Sequence, residues 1–256
     1  MNGSDARAFA RYIALGDGLS ADLTPALDLK VTDVSVALER DARSGDVPPV
    51  GAASLFFSND DERWPEFTGH DLQSITGCSE ILRLAADGAS LGDVFDDQVL
   101  MLEGDASPTL ITLTAGAIDL LSAVATKPAP ARRDAIVRDA VRGVIALATM
   151  LHERFDDLTL ILTTLPDPTD GIGVFPDERD GEAVPPAALL HFNTLLREQG
   201  RVLPGTLVAE AHAAFQGHGL TSPDAERWFW RRNPHEPSAL GASGLRACWL
   251  ETLQGE

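Results

Sequence analysis

Five side chains in this 256-residue sequence are of types that could cut an acyl bond: Asp17, Ser20, His218, His235 and Glu236. Ser20 lies in the run YIALGDGLSADL, where an apolar stretch gives way to a helical pattern. Backbone N–H groups and the dipole at a helix start lower the cost of a serine alkoxide. The same place also suits a serine that only caps the helix. His218, in FQGHGL, and His235, in RRNPHEPS, fit a general base or a structural hydrogen bond equally well. A pair made of Ser20 and one histidine would run acyl transfer. Asp17, His218, His235 and Glu236 also offer metal donors that would activate a water. Their spacing matches no metal motif, so the site is read as holding neither metal nor cofactor. The aromatic run Trp228, Phe229 and Trp230, next to Arg231 and Arg232, either walls a pocket for an anionic substrate or anchors the last loop to the core.

These residues need elements to bring them together. Short apolar runs at 11–15, 80–84, 109–113, 158–162 and 202–208 each end in small or turn residues, as parallel strands buried on both faces do. Pro204 suggests that the fifth run lies at an edge. Helical patterns cover 91–102, 119–124, 132–154, 186–199 and 242–253. The alternation predicts an α/β protein, one domain over 1–256, with a parallel sheet between helices. Ligands of such sheets bind beyond the carboxyl ends of the strands, so 17–20, 87–89, 116–119 and the segment before the last helix should converge. The stretches 30–50 and 167–186 read as loops that could shape the pocket.

Composition narrows the partners. With 39 acidic against 20 basic residues, the formal charge is -19. That balance opposes nucleic acid and anionic membrane surfaces and leaves a small-molecule substrate or ligand; oligomeric state is not readable. Two cysteines, Cys78 and Cys248, stand far apart, which fits reduced thiols in a cytoplasmic protein. No run has the length of a membrane span or a signal sequence.

Four segments in order, YIALGDGLSADL, LAADGAS, TLTAGAIDLL and EPSALGASGLR, resemble the motifs of the SGNH/GDSL hydrolases across nearly the whole chain. The resemblance implies a three-layer α/β/α sandwich with a flavodoxin-like sheet, and an ester or acyl hydrolase of a small soluble substrate. It places Gly16 and Asp17 on the first motif, with Gly18 where the family's nucleophilic serine stands. Gly88 falls on the oxyanion-hole glycine. Gly116 and Asp119 match the third motif, but Ile118 replaces its asparagine donor. In the last motif Glu236 takes the place of the histidine base and Asn233 that of the acid, with His235 one residue early. Glu236 should therefore lie near Gly18, in one cleft with Asp17, Gly88 and Gly116. Restoring Gly18→Ser alone should recover little. The alternative is an inactive homologue that binds a ligand or partner.

Overall fold

The computed structural model describes residues 7–32, 47–175 and 185–255. Five strands, β1 Arg11–Gly16, β2 Glu80–Arg83, β3 Thr109–Thr114, β4 Leu158–Thr163 and β5 Thr206–Ala209, form one parallel sheet in the order β2-β1-β3-β4-β5. This is the flavodoxin-like order, and the chain leaves β1 in one direction along the sheet and β3 in the other. Alternation of side chains along β1 divides the core. Ile13 and Leu15 face one side with Ile111 and Leu113, while Tyr12 and Ala14 face the other with Leu110 and Ile161. The Tyr12 hydroxyl, fully buried, is satisfied by Thr112 Oγ1 at 2.8 Å.

Helices close both faces, giving the three layers expected. They are α1 Leu23–Asp28, α2 Ala52–Phe57, α3 Leu72–Thr76, α4 Leu91–Asp93, α5 Ala117–Ala125, α6 Pro130–Arg154, α7 Pro186–Gly200, α8 Ala211–Ala214 and α9 Ala239–Gln254. α6 starts on a proline at its first turn, which needs no N–H partner there, and turns Val137, Val141, Val144, Ala148 and Leu151 toward the sheet. α9 packs on the opposite face through Leu245, Trp249 and Leu250. Its ends follow local chemistry: the Ser238 hydroxyl accepts from Gly241 N–H at 3.1 Å, and Gly255 adopts the left-handed conformation that stops the helix.

The differences from the sequence-based elements have local causes. The helix expected over 91–102 runs only from Leu91 to Asp93 before widening into a π turn at Val94–Val99. Strand β5 starts after Pro204, which belongs to the preceding turn, although β5 is indeed an edge. An antiparallel hairpin, β6 Phe229–Trp230 with β7 Asn233–Pro237, was not foreseen, because two-residue strands leave no periodicity to read. The loops expected at 30–50 and 167–186 lie partly outside the described residues.

Candidate active site

The site begins where β1 ends. Gly16 has φ 123°, and a Cβ there would strike the Thr114 carbonyl of the neighbouring strand, so only glycine fits. Gln98, carried inward by the π turn, clamps this glycine from both sides: Gly16 N–H donates to Oε1 at 2.7 Å and Nε2 donates to Gly16 O at 2.9 Å. Asp17 N–H then donates to Thr114 O at 2.9 Å. The Asp17 carboxylate accepts from Leu19 N–H at 3.2 Å and is only 4% exposed.

Gly18 comes next, and its missing side chain is what the site is built around. A Cβ at this position would collide with Cδ, Oε1 and Oε2 of Glu236. The glutamate carboxyl thus fills the space that a residue-18 side chain would take. Glu236 arrives from β7, and the hairpin is held by Trp228: its carbonyl accepts from Ser238 N–H at 2.8 Å, and its ring lies where side chains at Gly244 would stand. Trp228 is itself sandwiched by His218, stacked at 4.1 Å, and Phe215, edge-on at 4.9 Å.

A cavity of about 540 Å³ opens beyond the carboxyl ends of the strands. Asp17, Asp87, Gly88, Ile118, His235 and Glu236 line it together with an apolar wall that includes Leu23, Leu27, Leu121, Leu165 and Leu189. Asp87 and Gly88 follow β2, and Gly88 takes a left-handed turn with φ 74°. Ile118 sits in the first turn of α5. Asp119, one residue on, accepts from Leu91 N–H at 2.9 Å and so ties the starts of α4 and α5 together. After β4, buried Asn193 fixes the wall by pairing with both Leu165 N–H (2.7 Å) and Leu165 O (2.9 Å).

Three carboxyls therefore meet in low-dielectric surroundings, and among the described residues no lysine or arginine lines the cavity beside them. Burial pushes Asp17 up to about 7, against the pull of hydrogen bonds from Thr114 and Leu19. Burial, then the nearby Asp22 charge, raises Asp87 to about 6. Glu236 is raised well above the usual carboxylate range by burial and by Asp87 and Asp17. Asp87 Oδ1 and Glu236 Oε2 are both buried without a hydrogen-bond partner among the described residues.

The structure separates the residues that the sequence singled out. Asp17, Gly88, Ile118, His235 and Glu236 reach the cavity, and Gly18 lies beneath Glu236. Ser20 does not: it is 1% exposed, and its hydroxyl pairs with Thr114 Oγ1 at 2.9 Å. His218 is likewise off the cavity, stacked on Trp228 with Nδ1 against Glu226 O at 2.7 Å. The pair that would join Ser20 to a histidine is therefore not assembled. His235 stands in the wall, edge-on to Phe175 at 5.2 Å. Gly116, with φ 97°, turns the chain into α5 beneath the cavity, against Phe192. Of the aromatic run, Phe229 and Trp230 line the cavity and Trp228 anchors the hairpin, while Arg231 and Arg232 are exposed away from it. Among the described residues, no group of three histidine, cysteine or acidic side chains is arranged to hold a metal ion. Cys78 and Cys248 are free and buried.

Sequence reasoning gave no chemistry to Asp87 or Gln98. Asp87 stands directly before the matched Gly88, so its place was visible and its isolation from cations was not. Gln98 became legible only through the π turn.

No family model and no curated protein matches this sequence. In three dimensions the likeness is extensive. A phospholipase A1 from Streptomyces albidoflavus superposes over 97% of this chain and 99% of its own, with TM-score 0.60 and 19% identity. The fold is that of the SGNH/GDSL hydrolases. A candidate GDSL-like lipase from Parabacteroides merdae matches 98% of each chain at TM-score 0.59 and 12% identity. An acetyl xylan esterase from Geobacillus stearothermophilus matches over 96% of this chain and 95% of its own, at TM-score 0.55 and 12% identity. In this chain β1 leads directly into Gly18.

Proposed function

We propose that the protein hydrolyses small, uncharged, apolar esters in the cavity at the carboxyl edge of its sheet, by a water that the carboxyls activate rather than by a serine. The observation that carries this reading is the Glu236 carboxyl seated in the side-chain space of Gly18, at the point where the motif resemblance puts the nucleophile. A nucleophilic serine needs a hydroxyl and a base within reach; Gly18 supplies no hydroxyl, and Ser20 is committed to Thr114. A buried carboxyl can instead move protons for an attacking water. The apolar wall suits an acyl or alkyl chain, and the described lining residues include no basic side chain to give an anionic substrate a counter-charge.

The test is hydrolysis of short-chain p-nitrophenyl esters and of neutral alkyl esters. Turnover without an initial burst, unaffected by serine-directed fluorophosphonates and lowered about a hundredfold or more by Glu236→Gln, is expected. Covalent labelling of a serine, or full activity in Glu236→Gln, would overturn the water route. Saturable binding of ester analogues with no turnover of any ester would leave the second reading, a ligand-binding protein, which Ile118 at the expected donor position favours.

A further inference from the structure

Two oxygens in the cavity wall are out of place for ionised groups. Glu236 Oε2 and Asp87 Oδ1 are both shut away from solvent and accept no hydrogen bond from any side chain or backbone group among the described residues. Glu236 as a whole is 9% exposed. A buried carboxylate oxygen left bare costs the full desolvation of its charge. One proton placed on either group removes most of that cost. The groups facing this pair come from every element around it: Asp17 at the end of β1, Asp22 ahead of α1, and His235 beside Glu236 on β7. The first two are acids, so the neighbourhood adds repulsion. Arg83 lies 3.9 Å from Asp22, outside the cavity lining, so among the described residues the pair itself has no cation beside it.

We propose that Asp87 and Glu236 share one proton and act as an acid–base pair on the ester carbonyl. This deepens the hydrolase reading above and rests on it. Glu236, the more deeply buried, keeps the proton, and Asp87 is the ionised partner. In the first step Asp87 takes a proton from water as the water oxygen bonds to the carbonyl carbon. The carbonyl electron pair moves onto oxygen, which receives the proton of Glu236. The product is a neutral tetrahedral hydrate, with Asp87 now protonated and Glu236 ionised. In the second step Glu236 takes one hydroxyl proton from the hydrate, and Asp87 gives its proton to the alkoxy oxygen as the carbon–alkoxy bond breaks. Alcohol and carboxylic acid leave, and the pair returns to its starting state with no metal, oxidant or covalent enzyme intermediate. The protonated Glu236 thereby supplies the hydrogen-bond donor that Ile118 cannot. A carboxylic acid kept neutral by an apolar site can serve in that way, and two such groups titrate as a unit.

The deciding experiment combines infrared spectroscopy with kinetics on the full chain. At pH 7 the wild type should show a protonated-carboxylic-acid carbonyl stretch that Glu236→Gln lacks, beside the band of Asp17, which is half protonated there and persists in both. Absence of a Glu236-dependent band at pH 7 overturns the proposal, whether or not any ester is turned over. With a neutral ester, kcat/KM should be bell-shaped in pH, rising as Asp87 ionises near 6 and falling as Glu236 gives up its proton at higher pH. Asp87→Asn should lose the acidic limb and about a hundredfold or more in rate, while still binding a chain-matched alcohol like the wild type. Wild-type rate and an unchanged profile in Asp87→Asn would sink the pair and leave the hydrolase reading standing. A wild type that shows the band but turns over no ester would sink the hydrolase reading and the catalytic use of the pair together. Both substitutions nearly preserve shape, and circular dichroism checks that they fold.

Discussion

At Asp17 the usual pH behaviour of a folded carboxylate is inverted. Most buried acids in proteins are paired and have lowered pKa values, so they stabilise the fold above their unfolded pKa. Here burial raises the group from 3.8 to about 7. Between those values the native state holds more protons than the unfolded state, so stability falls as pH rises through the window and is fullest below it. Asp17→Asn keeps an acceptor for Leu19 N–H and removes the penalty. It should therefore raise the denaturant midpoint at pH 8 by far more than at pH 4, where the aspartate is already neutral. An equal effect at both pH values would show that the charge does not matter. The identity of this aspartate was legible from the GDG run, and the motif resemblance already put Glu236 in its cleft, whereas the burial that raises its pKa was not legible, because it depends on the hairpin and the apolar wall that close over it.

The strands were the most legible elements. Runs such as RYIALG and TLITLT are apolar on both faces and end in small residues, and each became a strand. The elements that position the site were harder to see. The π turn at Val94–Val99 hides inside an ordinary helical pattern, yet it is what turns Gln98 onto Gly16. Removing that side chain would orphan a buried N–H and a buried C=O together. Gln98→Ala is expected to cost about 2–6 kcal/mol in equilibrium unfolding, since each of the two orphaned groups costs about 1–3 kcal/mol. A loss below 1 kcal/mol, the scale of an exposed hydrogen bond, would mean that water replaces the amide. The hairpin that carries Glu236 escaped prediction for a different reason. Its hold on the body is Trp228 against the small residues Gly241 and Gly244 of α9, a contact between segments whose meaning exists only after folding.

Across the whole molecule the acidic excess and the cavity act in the same direction. The chain carries a formal charge of -19, and the pocket adds Asp17, Asp87 and Glu236 with no basic side chain among its described lining residues. Under the proposed hydrolysis a neutral ester meets no repulsion, whereas the carboxylate product is repelled by the acids of the site. Chain-matched inhibitors should report this: at pH 8 a medium-chain alcohol should compete about tenfold or more better than the corresponding carboxylate, a gap equivalent to about 1.4 kcal/mol. The gap should close as pH falls and the acids of both partners take up protons. Equal inhibition at pH 8 would mean that a cation reaches the ligand after all.

The collision between a side chain at position 18 and the carboxyl of Glu236 also bears on descent. A serine written into position 18 would have to evict the glutamate, and a histidine written into position 236 would find a glycine with no hydroxyl to serve. Positions 18 and 236 are consequently coupled, and what either can become depends on what the other already is.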